Sequence, residues 1–168
     1  MSSGRGTKLT GAVGEFLVAA ELCRRNLVAT PFSGNVPHYD IIASGEHGGH
    51  LAVQVKTVNG GNWQFSINKF VEVRRDGDRQ VLGDLLPEPH PELRFVMVVL
   101  GSDGERDRFF ILTWHQLRDA IVDGYRAYLN KHDGIRPRAP DSYHVSLSVA
   151  QIESFEDKWE TLLESVAR

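Results

Sequence analysis

A single cysteine, Cys23, stands in the whole chain, so no disulfide can form within it, and no His or Cys lies at ligand spacing from it. Set among apolar helix formers, it is expected to fill core. Long apolar runs are missing as well: nothing approaches the ~20 residues that cross a bilayer. The opening stretch MSSGRGTKLTG has no hydrophobic signal region, which makes a cytoplasmic protein with no membrane partner the expectation. An excess of positive charge is lacking too, with a formal net charge of -3 and a pI near 6.2. Bulk electrostatics therefore gives nucleic acid no reason to coat the surface. The clusters Arg5 with Lys8, Lys69 with Arg74 and Arg75, and Arg136 with Arg138 read first as solvated surface. Any phosphate binding they support is expected to be weak and salt-sensitive. Missing motifs narrow the chemistry further. There is no GxxxxGK[ST] phosphate loop, no GxGxxG after a strand, no HExxH and no GxSxG. Nucleotide phosphotransfer, dinucleotide redox chemistry and serine hydrolysis all lose support.

What is present is the composition of one globular domain. The 168 residues are 41% hydrophobic and 24% charged, enough to bury a core without staples. Residues 10–25 read as a first helix, with Thr10 as N-cap and Ala12, Phe16, Ala19 and Cys23 as the inward stripe. Its two glutamates differ. Glu21 has Arg24 and Arg25 at helical neighbour spacing and is expected to form a solvated ion pair. Glu15 emerges among Gly11, Ala12, Val18 and Ala19, so its carboxylate either caps something such as a backbone amide or joins a metal site; the pattern leaves both open.

Residues 27–32 read as an extended edge and SGNVPH as a turn in which Pro37 fixes the backbone. After the turn NGG, the run from Trp63 to Ile67 is expected to pair back on the strand before it, with Trp63 and Phe65 on one face and Gln64, Ser66 and Asn68 on the other. The segment from Asp76, DGDRQVLGDLLPEPHPEL, reads as a loop. RFVMVVL at 94–100 is a strand of the kind buried on both faces, and RFFILTW at 108–114 is its hairpin partner. An amphipathic helix at 115–130 places Leu117, Ile121 and Tyr125 on one stripe. A strand at 142–149 sets His144 on its polar face, and a last helix at 150–167 packs through Ile152, Phe155, Trp159 and Leu162. No repeat, linker or second domain is visible. This order of elements predicts an α/β (α+β) fold with a mixed sheet flanked by helices.

The chain is organised around His38 to Val58, HYDIIASGEHGGHLAVQVKTV. It reads as two strands joined by a glycine-rich hairpin. Asp40 heads the first strand, before Ile41, Ile42 and Ala43. In the second, Gln54 and Lys56 interrupt the apolar run Leu51, Ala52, Val53 and Val55. Side chains alternate along a strand, so Gln54 and Lys56 share one face. An amide and an ammonium on a strand this apolar mark either an exposed face or a binding site. At the hairpin tip, Glu46, His47 and His50 invite a zinc reading, but a flexible glycine-rich loop lacks the spacing of structural zinc sites, and a solvated tip is the better reading.

An aspartate heading one strand, then an acid or amide two residues before a lysine on the next, resembles the active-site hairpin of the PD-(D/E)XK nuclease superfamily. Gln54-Val55-Lys56 resembles its QxK variant, found in Mrr-type restriction endonucleases and Holliday junction resolvase-like proteins. Glu15, near the start of the first helix, matches where many members place a further acid. The resemblance implies one nuclease domain over residues 1–168 with a restriction-endonuclease-like core. It implies Mg²⁺, with Mn²⁺ as a substitute, held by Glu15, Asp40, the Gln54 side-chain carbonyl and the Val55 main-chain carbonyl. Catalysis then falls to Glu15, Asp40, Gln54 and Lys56, with Lys56 holding the attacking water or offsetting charge on the phosphate. DNA is the implied partner, in restriction, repair or junction processing, and a homodimer is a common assembly of such enzymes. The neutral Gln54 departs from the acidic motif, and the alternative is a catalytically degenerate nuclease fold serving as a nucleic-acid-binding or protein-interaction module.

Overall fold

The computed structural model describes residues 4–32, 38–46, 48–91 and 93–166. In chain order the elements are α1 (Gly4–Cys23), β1 (Val28–Pro31), β2 (Ile41–Ser44), β3 (His50–Val58), β4 (Trp63–Ser66), β5 (Val71–Asp76), β6 (Arg79–Leu85) and β7 (Leu93–Val99). These are followed by β8 (Arg108–Thr113), α2 (Trp114–Lys131), β9 (His144–Leu147), a short α3 (Val149–Ile152) and α4 (Glu160–Val166). The chain packs as two compact units: residues 1–61, 90–114 and 153–168 form the first, and residues 62–89 and 115–152 the second. Among the described residues no helix is long and apolar enough to cross a membrane.

The first unit is built on a five-stranded mixed sheet in the order β1-β2-β3-β7-β8. Only β3 and β7 run parallel; every other neighbouring pair is antiparallel. The odd-numbered side chains of β3 (Leu51, Val53 and Val55) join Ile41 and Ala43 of β2, Val96 and Val98 of β7 and Ile111 of β8 on one buried face. Val18, Ala19 and Leu22 of α1 and Leu162 of α4, with Trp159, cover that face. As its unbroken apolar run predicts, β7 is buried on both faces, with Phe95 and Met97 opposite Val96 and Val98.

Helix α1 departs from its predicted form in two ways. It begins at Gly4 rather than at Thr10, and the Thr10 hydroxyl donates to the Gly6 carbonyl at 3.0 Å inside the helix instead of capping it. Its buried stripe also runs through Gly14, Val18 and Leu22. Phe16 is therefore 68% exposed, and Cys23 is exposed rather than core. The Glu21 ion pairs form as expected, with Arg24 and Arg25 each 2.6 Å from its carboxylate.

In the second unit β4 pairs antiparallel with β9, not with β3. Both edges of β3 are already filled, by β2 and β7, so the strand after the NGG turn has no edge to join. Within the segment read as a loop, β6 pairs with β5 across a two-residue Gly77-Asp78 turn. Gly77 takes φ 59°, the positive value demanded at the first central position of a II′ hairpin turn. Helix α2 buries Leu117, Ile121, Val122, Tyr125 and Leu129 as its periodicity predicts. Gln80 is buried with all its needs met: its amide nitrogen donates to the carbonyls of Pro140 and Ser142, and its oxygen accepts from the Tyr125 hydroxyl at 2.8 Å. Arg136 is not solvated surface, because it donates to the carbonyls of Ser142 and His144.

The predicted last helix is broken. After α3 the chain makes a single 3-10 turn over Glu153–Phe155, passes through Asp157 at φ 54°, and restarts as α4. Two ties to β8 cause the break. The Asp157 N–H donates to the Phe109 carbonyl at 2.9 Å, and Arg108 clasps Glu156 through Nε at 2.9 Å and Nη2 at 2.6 Å.

Candidate active site

Asp40 stands one residue before β2 and is fixed three times over. Its N–H donates to the Val53 carbonyl at 2.8 Å, and its carbonyl accepts from the Phe32 N–H at 3.0 Å. Its carboxylate Oδ2 accepts the Val55 N–H at 2.7 Å. Ile41 is already the ladder partner of Val53, so two consecutive residues address one, the arrangement by which strand irregularities re-aim a side chain. Beyond that point β2 no longer supplies acceptors to β3, and the aspartate side chain satisfies the next strand amide in its place. A charge-assisted bond of this kind also holds the carboxylate in one orientation. The N–H and C=O of one strand residue point to the same edge, so the Val55 carbonyl lies on the edge that Asp40 occupies.

Gln54 and Lys56 flank Val55 on the opposite face of β3 from Val53, as the alternation predicts, with Gln54 half-buried and Lys56 exposed. Glu15 comes from α1. Its approach depends on Gly14, whose backbone lies against Thr57 so closely that a Cβ there would fall 1.8 Å from the hydroxyl oxygen and 2.9 Å from the Thr57 Cβ. In the sequence, the signal for this close contact is Gly14 itself, set immediately before Glu15.

Glu15 is half-buried. Burial pushes its pKa above the ordinary carboxylate value; the negative charge of Asp40 adds to that rise, and Lys56 opposes it. Glu15, Asp40 and Lys56 therefore share one electrostatic environment. With Gln54 beside them on β3, the predicted constellation comes from three separate stretches of chain. Every donor offered is oxygen, which suits a hard divalent ion. No three His, Cys, Asp or Glu side chains group as a metal site among the described residues, so a cation here would rest on two carboxylates with amide and main-chain oxygens.

Other candidates lie elsewhere. His47, Pro37 and the side chain of Arg5 are outside the described residues. His50 bonds the Ser44 hydroxyl through Nδ1 at 2.9 Å. His144 is an exposed residue of β9, Trp63 is buried, and Phe65 packs edge-on against Phe70.

This architecture is a restriction-endonuclease-like α+β fold built on a mixed sheet. Among solved structures the chain is similar to a bacterial homing endonuclease, I-Ssp6803I, with a TM-score of 0.52 and 16% identity over 96% of this chain and 97% of that one. It is also similar to Hjc, a Holliday junction resolvase of the archaeal hyperthermophile Archaeoglobus fulgidus, with a TM-score of 0.46 and 12% identity over 90% and 94% of the two chains. No protein-family model and no curated protein matches the sequence.

Proposed function

We propose that this protein is a divalent-metal-dependent DNA endonuclease acting in the cytoplasm, and that Glu15, Asp40, Gln54 and Lys56 form its active site. The observation that carries the reading is the placement of Asp40: its carboxylate is locked to the Val55 amide at 2.7 Å while its charge bears on Glu15. Two acids held in each other's field destabilise each other unless a cation joins them. The fold shared with a homing endonuclease supports the same reading.

Glu15, Asp40, the Gln54 side-chain oxygen and the Val55 carbonyl would hold Mg²⁺, with Mn²⁺ able to replace it. Such an ion, when bound, polarises a phosphoryl oxygen and acidifies a bound water. The residues themselves do the rest. Asp40 stays oriented by the hydrogen bond its carboxylate accepts from the Val55 N–H, and because a ligating carboxyl must be ionised, the raised Glu15 pKa makes metal affinity rise with pH. The Lys56 ammonium offsets charge that develops on the phosphate or holds the attacking water. Gln54 supplies no charge, and for that reason a second reading stands beside the first: a degenerate nuclease fold used as a nucleic-acid-binding or protein-interaction module.

Incubation of supercoiled, linear, single-stranded and branched DNA with Mg²⁺, Mn²⁺ or EDTA separates the two. The expected result is metal-dependent cutting by the wild type, lost in both Asp40→Ala and Lys56→Ala. A wild type that cuts nothing, and whose thermal midpoint Mg²⁺ leaves unmoved, would overturn the enzyme and favour the module.

A further inference from the structure

The face of β3 that carries Gln54 and Lys56 continues one step back to Ala52, and a slot opens there. Ala52 and Leu93, ladder partners across β3 and β7, form its floor. His38, Tyr39 and His90 wall it. The His38 and His90 rings lie 4.7 Å apart, tilted by 59°. The slot holds about 200 Å³, below the ~300–1,000 Å³ of drug-sized sites, so it admits a single flat ring system. His38 is held at φ 79°, a left-handed conformation that costs a non-glycine residue energy and that clusters at ligand clamps. It lies two residues before Asp40, and Ala52 two before Gln54, so the slot adjoins the candidate active site on both strands.

We propose that this slot receives one unstacked nucleobase of the DNA substrate, beside the phosphate addressed by Asp40 and Lys56; the inference rests on the nuclease reading above. Among the described residues the walls carry no fixed charge pair that would select a peptide carboxylate or ammonium. They offer aromatic faces, on which every base can stack whatever its sequence. A base inside a continuous duplex is stacked on its neighbours and cannot enter. The substrate class is therefore DNA with an unpaired or splayed nucleotide at the cleavage point, such as a single strand, a flap or a branch, in preference to intact duplex.

The test is a thymidine oligonucleotide carrying one 2-aminopurine, titrated with the protein in EDTA or Ca²⁺, with binding followed by anisotropy and stacking by 2-aminopurine fluorescence. Wild type is expected to bind and to quench the fluorophore. Ala52→Phe, which fills the slot, and His90→Ala, which removes an exposed wall, are expected to lose the quenching and to bind about tenfold more weakly, as loss of one stacked base implies. His90→Ala guards against misfolding of the first variant, since thermal midpoints report each fold. Absence of binding, binding without quenching, or quenching equal in both folded variants would overturn the slot. Mg²⁺-dependent cleavage of the same oligonucleotide is scored separately. Cleavage without quenching removes the slot and leaves the nuclease, whereas quenching without cleavage of any substrate removes the nuclease and leaves a base-binding slot.

Discussion

Gly14 of α1 and Thr57 of β3 meet so closely that a methyl group at position 14 would lie 2.9 Å from the Thr57 Cβ, whichever rotamer the threonine adopts. The contact seats α1 on the sheet and carries Glu15, the next residue, to the edge where Asp40 stands. Gly14→Ala must push helix and strand apart. A loss of about 1–3 kcal/mol is expected from overpacking, read by denaturant unfolding. Cleavage should fall by more than stability alone explains, because Glu15 moves with the helix. Pairing Gly14→Ala with Thr57→Gly should recover part of the loss, and strict additivity of the two changes would refute the contact.

Thr57 gives a second, opposite prediction. Its hydroxyl oxygen is buried and finds no hydrogen-bond partner among the described residues. Thr57→Val keeps the shape and removes the unsatisfied group, so it should be neutral or stabilising by up to about 1 kcal/mol. A loss larger than that would mean that the hydroxyl has a partner in solution.

The raised Glu15 pKa sets a pH dependence whose sign can be worked out. The folded state holds this proton more tightly than the unfolded chain, where the carboxyl keeps its ordinary value. Between the ordinary and the raised pKa the native state thus binds more protons, and stability falls as pH rises through that window. Above it, Glu15→Gln removes the buried charge facing Asp40 and is expected to raise the thermal midpoint in metal-free buffer, while weakening stabilisation by Mg²⁺. A lowered midpoint in Glu15→Gln at pH 7 would contradict the electrostatics.

On the proposed function Asp40 serves both the fold and the chemistry, and two substitutions separate these roles. Asp40→Asn keeps an oxygen for the Val55 N–H and should cost under about 1 kcal/mol while abolishing cleavage. Asp40→Ala leaves that amide unpaired and should cost about 1–3 kcal/mol in addition. Equal stabilities for the two variants would show that the 2.7 Å bond contributes nothing to the fold.

The Arg108 and Glu156 pair closes the bend before α4 by two parallel bonds. The Arg108 hydrogen bonds, aided by its charge, hold the Glu156 carboxyl below its ordinary pKa against the opposing effect of burial. Its contribution is therefore complete above the unfolded pKa and is lost as pH falls through the depressed value. Glu156→Gln should cost about 1 kcal/mol at pH 7, with the difference from wild type shrinking in acid. A difference that persists at low pH would place the effect in packing rather than charge.

Strand alternation and local chemistry, both written in the sequence, determined much of this protein. The period of two put Gln54 and Lys56 together on β3, the unbroken apolar run of β7 announced a strand buried on both faces, and helical spacing paired Glu21 with its two arginines. These are relations between residues a few positions apart, where backbone geometry leaves little freedom. Relations across the chain were decided only by tertiary structure. The partner of β4 depended on which strands had already filled the edges of β3. The register of the buried stripe on α1 depended on where glycine allowed the helix to touch the sheet, which turned Phe16 and Cys23 outward. The last helix broke because β8 offered Arg108 and a free carbonyl at the bend. The site is divided in the same way. Its hairpin could be read from sequence, but the state of Glu15 could not, because a carboxyl pKa is set by burial and by charges that the fold alone brings near.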